Sequence, residues 1–326
     1  MEQKKPLLIL AGPTAVGKTA LSIALAKQVG GEIISADSMQ VYKGMDIGSA
    51  KIRKEEMQGV AHHLLDILNP TESFNITIFQ RLAKQYMEEI AGRGHLPIIV
   101  GGTGFYIQSV LYDIDFTKEE GDGAYRLYLE ELLKNRGGIF LHDMLKQVDP
   151  VSAELIHENN HKRMIRALEY YHLTGQPISE HNAKQRQKES AYNACYFVLT
   201  DRRDRLYERI DRRVDQMLSE GLVDEVKRLL AAGCKREMVS MQGLGYKEIA
   251  DYLNGKQTLE EAIYLIKRNT RHFAKRQLTW FGREKEVIWI NREEFGDDSS
   301  RILAYMQEKM KERMLEDESR DNRNFS

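Results

Sequence analysis

Near its start the chain reads Gly12-Pro13-Thr14-Ala15-Val16-Gly17-Lys18-Thr19, which fits the pattern G-x-x-x-x-G-K-[ST]. No other segment constrains the fold as much. Such a loop works only as a turn between a buried strand and a helix. There the glycines let the backbone curl, and several N–H groups converge on one phosphate at the positive end of the helix. The flanks supply that context: Leu7–Ala11 reads as an apolar strand, and ALSIALAKQV after the loop has a helical pattern. Lys18 is placed to reach an outer phosphate, and the Thr19 hydroxyl to meet Mg²⁺. A glycine turn without a ligand is the alternative, and the strand-loop-helix context argues against it. The loop implies a di- or triphosphate ligand and leaves the reaction open.

Three further apolar runs, Ile33–Ala36, Pro97–Val100 and Tyr196–Thr200, read as buried strands with helical patterns between them. That alternation predicts an α/β fold, a parallel sheet covered by helices as in P-loop NTPases. Ligands of such sheets lie beyond the carboxyl ends of the strands, where Asp37, Thr103 and the glycine loop fall together. Residues 122–190 are polar and helical in pattern, and they read as a helical insertion. The predicted layout is a first core part over 1–121, the insertion over 122–190, core completion with basic C-terminal helices over 191–308, and a charged, frayed tail over 309–326. Val287–Ile290 reads as a short edge strand.

With 42% apolar residues and a net charge of −1, the chain can bury a sizeable core and is no non-specific nucleic-acid binder. Charge is concentrated instead: Lys267 to Lys285 holds seven Lys/Arg against one acid, Glu284, with Trp280 and Phe281 beside them. That mixture suits holding a nucleic-acid backbone and stacking a base, although a basic helix with a buried aromatic end has the same pattern. Arg205, Arg209 and Arg212 form another basic stripe, which fits phosphate binding or a solvated face tied to neighbouring acids. No run is apolar enough for a membrane span. The two cysteines, Cys195 and Cys234, form no C-x-x-C pair, so a cytoplasmic setting is expected. His62 and His63 are adjacent and lack partners at helical spacing, which favours a structural role over metal binding. The strand Pro97–Val100 ends in Gly101-Gly102-Thr103-Gly104, with no Walker-B carboxylate. The obvious carboxylate is Asp37, suited to act as a base on an acceptor, as a metal partner or as a turn cap.

Several segments together resemble the bacterial tRNA dimethylallyltransferases, also called tRNA isopentenyltransferases. They are GPTAVGKT (12–19), SADSMQVYKGMDIGSAK (35–51), HHLLDI (62–67), GGTGFYI (101–107), KRMIRALEYYHLTG (162–175), RIDRRVDQMLSEGLVDEV (209–226), QGLGYKE (242–248) and TRHFAKRQLTWF (270–281). The resemblance implies transfer of a dimethylallyl group from dimethylallyl diphosphate to N6 of the adenine beside the anticodon, with diphosphate leaving. It recasts the P-loop, Gly12 to Thr19, as a holder of a prenyl diphosphate with Mg²⁺ at Thr19. A kinase acting on a small acceptor is the alternative activity. The resemblance also implies that Asp37 is the general base, that Gln40 contacts a flipped adenine, and that Thr103 and Arg126 lie near the reacting groups. Its RNA-contacting stretches correspond to Asp37, Ser38, Met39 and Gln40; to Lys162, Arg163, Met164, Ile165 and Arg166; to Gln242, Gly243, Leu244, Gly245, Tyr246 and Lys247; and to Lys275, Arg276, Gln277, Leu278, Thr279, Trp280, Phe281 and Gly282. The expected partners are a tRNA anticodon stem-loop and dimethylallyl diphosphate, with no membrane, and the expected state is a monomer. The chain departs from the family's usual pattern at Ser49 and Ile52, at Gly243-Leu244, and at Gly282, where many members carry arginine.

Overall fold

The computed structural model describes residues 4–116 and 123–323. The chain divides into two compact units, Met1–Leu111 with Ala191–Ser326, and Tyr112–Ser190. In the first unit the order is β1 (Lys5–Ala11), α1 (Lys18–Val29), β2 (Gly31–Ala36), β3 (His62–His63), α2 (Ile76–Gly92), β4 (Leu96–Gly101) and α3 (Gly104–Leu111). The second unit is helical: α4 (Ala124–Val148), α5 (Pro150–Leu155), α6 (His161–Thr174) and α7 (Ile178–Gln187). The chain then returns to the first unit with β5 (Tyr192–Thr200), α8 (Arg203–Ser219), α9 (Leu222–Ala231), α10 (Tyr246–Leu253), α11 (Leu259–Phe281), β6 (Val287–Asn291) and α12 (Ser299–Arg323). No helix among the described residues is long and apolar enough to cross a membrane.

The six strands pair in parallel in the order β3-β2-β4-β1-β5-β6. β1 is central, and Leu7 to Ala11 are all buried, because helices cover both faces and leave no side of the strand for polar residues. Val287–Ile290 takes its place as an edge strand, in register Tyr196↔Val287 through Thr200↔Asn291. The other edge, β3, has only two residues and carries no periodicity that a sequence pattern could reveal. The charged tail is helical to Arg323 instead of fraying at Lys309. Ile302, Leu303 and Met306 pack into the core and anchor α12, and its Lys/Glu/Arg/Met-rich continuation has good intrinsic helix propensity.

The second unit has its own core of Leu129, Leu141, Leu145, Met164, Ile165 and Leu168. α4 is broken at Gly137, whose φ of 82° and ψ of 174° are not helical. Asp149 is buried and caps α5: its carboxylate accepts from Ser152 N at 2.9 Å and from Ser179 N at 3.0 Å, so it also ties down the start of α7.

At the amino-terminal end of the sheet, Glu32 is buried and gathers three elements. Its carboxylate accepts from Arg93 at 3.1 and 2.8 Å, meets His63 Nε2 at 2.7 Å and meets His95 Nδ1 at 2.6 Å. His62 turns to the Val60 carbonyl at 2.9 Å, so both adjacent histidines serve the sheet edge. The Arg93 hydrogen bonds, joined by those of His63 and His95, outweigh burial and pull Glu32 from 4.5 to about 2. A carboxylate depressed in this way adds stability that is complete above pH 4.5 and is lost as pH falls through about 2. Glu32→Gln should therefore cost up to about 3 kcal/mol at pH 7 and flatten the acid side of the stability profile. Denaturant titrations at pH 7 and at acid pH check this; parallel profiles for the two proteins would contradict it.

Candidate active site

The P-loop follows β1 and passes under β5. Gly12 has φ 147°, and a side chain there would run into the Leu199 carbonyl of β5. Gly17, at φ 99°, precedes the first turn of α1. Ala15 takes the left-handed region at φ 62°, a strained state for a residue with a Cβ. The Lys18 ammonium closes the loop on itself, donating to the Gly12 carbonyl at 3.0 Å and the Pro13 carbonyl at 2.8 Å. Thr19 is exposed on the first turn of α1.

The GGTG loop after β4 lies beside it, and Gln277 of α11 joins the two. Its Oε1 accepts from Thr14 N at 3.0 Å, and its Nε2 donates to the Gly102 carbonyl at 2.9 Å. Gly102 and Gly104 are small by necessity, since a Cβ on either would collide with Gln277 or with the Trp280 indole. Thr103 N donates to the Ala36 carbonyl at 3.3 Å, so the end of β2 is tied to the same loop. Asp37 is the next residue. It is half-buried; one oxygen accepts from Met39 N at 2.8 Å, and the other has no hydrogen-bond partner among the described residues. Strand order thus collects Asp37, Thr103 and the P-loop at one end of the sheet.

Sequence reasoning missed Arg213. It lies on α8 half-buried, and no hydrogen bond or ion pair engages it among the described residues. Burial lowers its pKa, and Asp37 opposes that. Lys18 is brought down from 10.5 to about 7, first by burial of its ammonium, then by the Arg213 charge, against Asp37. Two poorly solvated cations therefore stand together with one carboxylate near them. The signal in the sequence was slight: positions three and four away on either side of Arg213 are Arg209, Ile210, Gln216 and Met217, none of them acidic.

Other expected site residues have different surroundings. Arg205 and Arg209 pair with Asp201, at 3.5 and 2.8 Å, and with Asp297, so they serve structure. Lys267 meets Asp215 at 2.6 Å and Arg271 meets Asp211 at 2.6 Å, tying α11 to α8, whereas Lys275, Arg276, Thr279 and Gly282 are exposed. Phe281 is buried, and Trp280 packs edge-on against Phe105 with ring centres 5.9 Å apart. The aromatic end of α11 is therefore packed inward and not laid open for stacking. Met164, Ile165, Gln277 and Tyr246 have buried side chains and cannot present them to a macromolecule. Gln242 is exposed but engages Arg236, donating to its carbonyl at 2.7 Å. Leu244 and Lys247 are half-buried, and Gly243 underlies Met39. Lys162, Arg163 and Arg166 are exposed on α6. Arg126 belongs to the helical unit, where Glu169 holds its guanidinium at 2.6 Å.

The family model described as IPP transferase matches residues 40–284, beginning just after Asp37. A tRNA dimethylallyltransferase of Lachnoclostridium phytofermentans is 61% identical over 302 residues, covering 93% of this chain and 96% of that protein. One from Bacillus licheniformis is 54% identical over 288 residues, covering 88% and 91%. Among solved structures, the full-length tRNA isopentenylpyrophosphate transferase of Bacillus halodurans matches with a TM-score of 0.71 at 47% identity, covering 96% of this chain and 99% of that one. A eukaryotic dimethylallyltransferase acting on tRNA matches with a TM-score of 0.76 at 30% identity, covering 88% and 74%.

A pKa of about 7 puts Lys18 near half-protonation at pH 7, and an anion bound at the loop would raise it. Binding of inorganic diphosphate at pH 7 should then take up about half a proton more than in Lys18→Met, a difference that vanishes in mild acid and approaches one proton in mild base. Affinity falls correspondingly as pH rises above 7. Calorimetry in buffers of different ionisation enthalpy reads the uptake; equal values for both proteins would contradict it.

Proposed function

The chain belongs to the IPP transferase family, and from that premise we infer that it transfers a dimethylallyl group to an adenine near the anticodon of a tRNA. We propose that the donor is dimethylallyl diphosphate, that the acceptor is the N6 amine of the adenine beside the anticodon, and that diphosphate leaves. The observation that carries the reading is the placing of charge: Lys18 and Arg213 beside the P-loop, and Asp37 near them at the end of β2, with β4 and its GGTG loop between.

The amine of adenine is a weak nucleophile, because its lone pair is drawn into the ring. As it attacks the first carbon of the dimethylallyl group, that carbon's bond to the diphosphate oxygen breaks, and the oxygen keeps the electron pair. Negative charge grows on the diphosphate, where P-loop N–H groups, Lys18 and Arg213 stabilise it. The nitrogen becomes cationic and gives its proton to the free oxygen of Asp37, the other oxygen being anchored by Met39 N. Mg²⁺ fits the residues present. No group of three His, Cys, Asp or Glu residues among the described ones could hold a metal, but Mg²⁺ needs only one or two protein oxygens beside substrate phosphates. Thr19 would hold it, and when bound it neutralises part of the diphosphate charge. Thr103, at the loop between the two groups, would line the path of the transferred carbon. Lys162, Arg163, Arg166, Lys275 and Arg276, all exposed, are suited to backbone phosphates. A tRNA substrate accords with the cytoplasmic setting expected from the cysteines.

Incubation with unmodified tRNA and dimethylallyl diphosphate, followed by nucleoside mass analysis, should give N6-dimethylallyladenosine; its absence would contradict the assignment. Asp37→Asn keeps the shape but loses basicity, and should lower the single-turnover rate by about 10²- to 10⁴-fold. Binding of both substrates should change little, since the lost interaction belongs to the transition state. A loss confined to tRNA or Mg²⁺ binding would reassign Asp37 to positioning or metal binding.

A further inference from the structure

Glu225, on α9, is buried, and its carboxylate faces the backbone of a distant loop. Asp46 N and Ile47 N donate to one oxygen at 2.9 and 2.8 Å, and Gly48 N donates to the other at 3.1 Å. The Tyr246 hydroxyl donates to the same oxygen as Gly48, at 2.8 Å, and accepts from Ser49 N at 3.1 Å. Burial and the neighbouring Glu225 keep that phenol protonated. Gly48 lies so close to the Tyr246 ring that a Cβ would come within 2.6 Å of it. Four consecutive N–H groups of the turn are thus drawn to one side by Glu225 and Tyr246.

The carbonyls that follow face the other way, toward Gln40. Its Nε2 donates to the Ser49 and Ala50 carbonyls at 3.3 and 3.4 Å, while its Oε1 accepts from the Ser35 hydroxyl at 3.0 Å. The serine could serve either end of the amide, since a hydroxyl both donates and accepts. The two carbonyls cannot: a reversed amide would set its oxygen against theirs. The turn therefore decides which way Gln40 points. A glutamine has two N–H donors and two lone pairs on its oxygen; the two carbonyls engage the donors and Ser35 one lone pair, so the second lone pair can remain to accept from a purine edge. Adenine presents an amine donor, which meets that oxygen only while the amide is held this way round.

We propose that Glu225, with Tyr246, is a positioning residue for adenine selection, setting the turn at 46–50 and through it the orientation of the Gln40 amide. This rests on the reading that Gln40 contacts the target base. Glu225 and Tyr246 are both buried and engage the turn, so they act through it. Their segments, which resemble RNA-contacting or helical family motifs, act here as a buttress behind the recognition loop.

The test compares binding of two anticodon stem-loops to the full chain, one with adenine and one with unsubstituted purine, which lacks the amine, at the target position. Wild type should prefer adenine. Glu225→Gln puts an amide where N–H groups converge and should shrink the preference by about tenfold, on the scale of one good base contact. Tyr246→Phe removes only the hydroxyl and should act in the same direction, more weakly, which keeps the test available if Glu225→Gln folds poorly. Heat protection by inorganic diphosphate should be unchanged in both. Gln40→Ala should also shrink the preference, and adding Glu225→Gln to it should have no further effect. If Gln40→Ala reduces the preference but Glu225→Gln and Tyr246→Phe do not, the positioning role is overturned and the reading of Gln40 stands. If Gln40→Ala leaves the preference intact, that reading fails and takes the positioning role with it.

Discussion

One buried amide holds the carboxyl end of the sheet together. Gln277 links Thr14 of the P-loop to Gly102 of the GGTG loop, the neighbouring Thr103 N–H reaches Ala36, and Asp37 follows. The path from the P-loop to the carboxylate is thereby a chain of hydrogen bonds at 3.0, 2.9 and 3.3 Å, each with a backbone partner. Each such bond is worth only about 1 kcal/mol net, but leaving a buried partner unmade costs about 1–3 kcal/mol. The arrangement is therefore all-or-none: loosening one link exposes unsatisfied groups at the next. Transfer chemistry needs that stiffness, since donor carbon and acceptor nitrogen react only when held in line.

The role of each basic residue follows from what stands opposite it. Arg205, Arg209, Lys267 and Arg271 face carboxylates and fasten helices to one another or to the strand ends. Arg213 faces the P-loop lysine, and no described carboxylate is close enough to pair with it. In the first case the fold consumes the charge. In the second, burial and then the like charge of Arg213 depress the Lys18 pKa, so an anion bound there would relieve both costs. Counting lysines and arginines in the 267–285 segment could not separate these cases, because the acids that engage Lys267 and Arg271 sit on α8, far away in sequence.

What the sequence disclosed was local in character. The P-loop was legible because its function requires a contiguous pattern, and the strands of the sheet because burial on both faces demands unbroken apolar runs. Asp37 and Thr103 were legible through topology, as residues just past strand ends. Gln277 was noticed, but for the wrong surface: helical spacing cannot tell an amide facing solvent from one inserted between two loops. Glu225 and Tyr246 were invisible as a pair, since the partners of Glu225 lie as many as 179 positions away. The two-residue strand at the sheet edge carried too little pattern to be recognised.

The Gln277 link also has a consequence for biosynthesis. Gln277 and Thr14 are separated by 263 positions along the chain, and the P-loop leaves the ribosome before α11 does. At about 5–20 residues per second, the amide that completes the site follows the loop by a delay on the order of tens of seconds. During that interval the nascent chain carries a phosphate-binding sequence without its clasp, and the GGTG loop lacks the side chains of α11 that fill the space above Gly102 and Gly104. The order of synthesis thus delays completion of this loop pair until α11 has emerged.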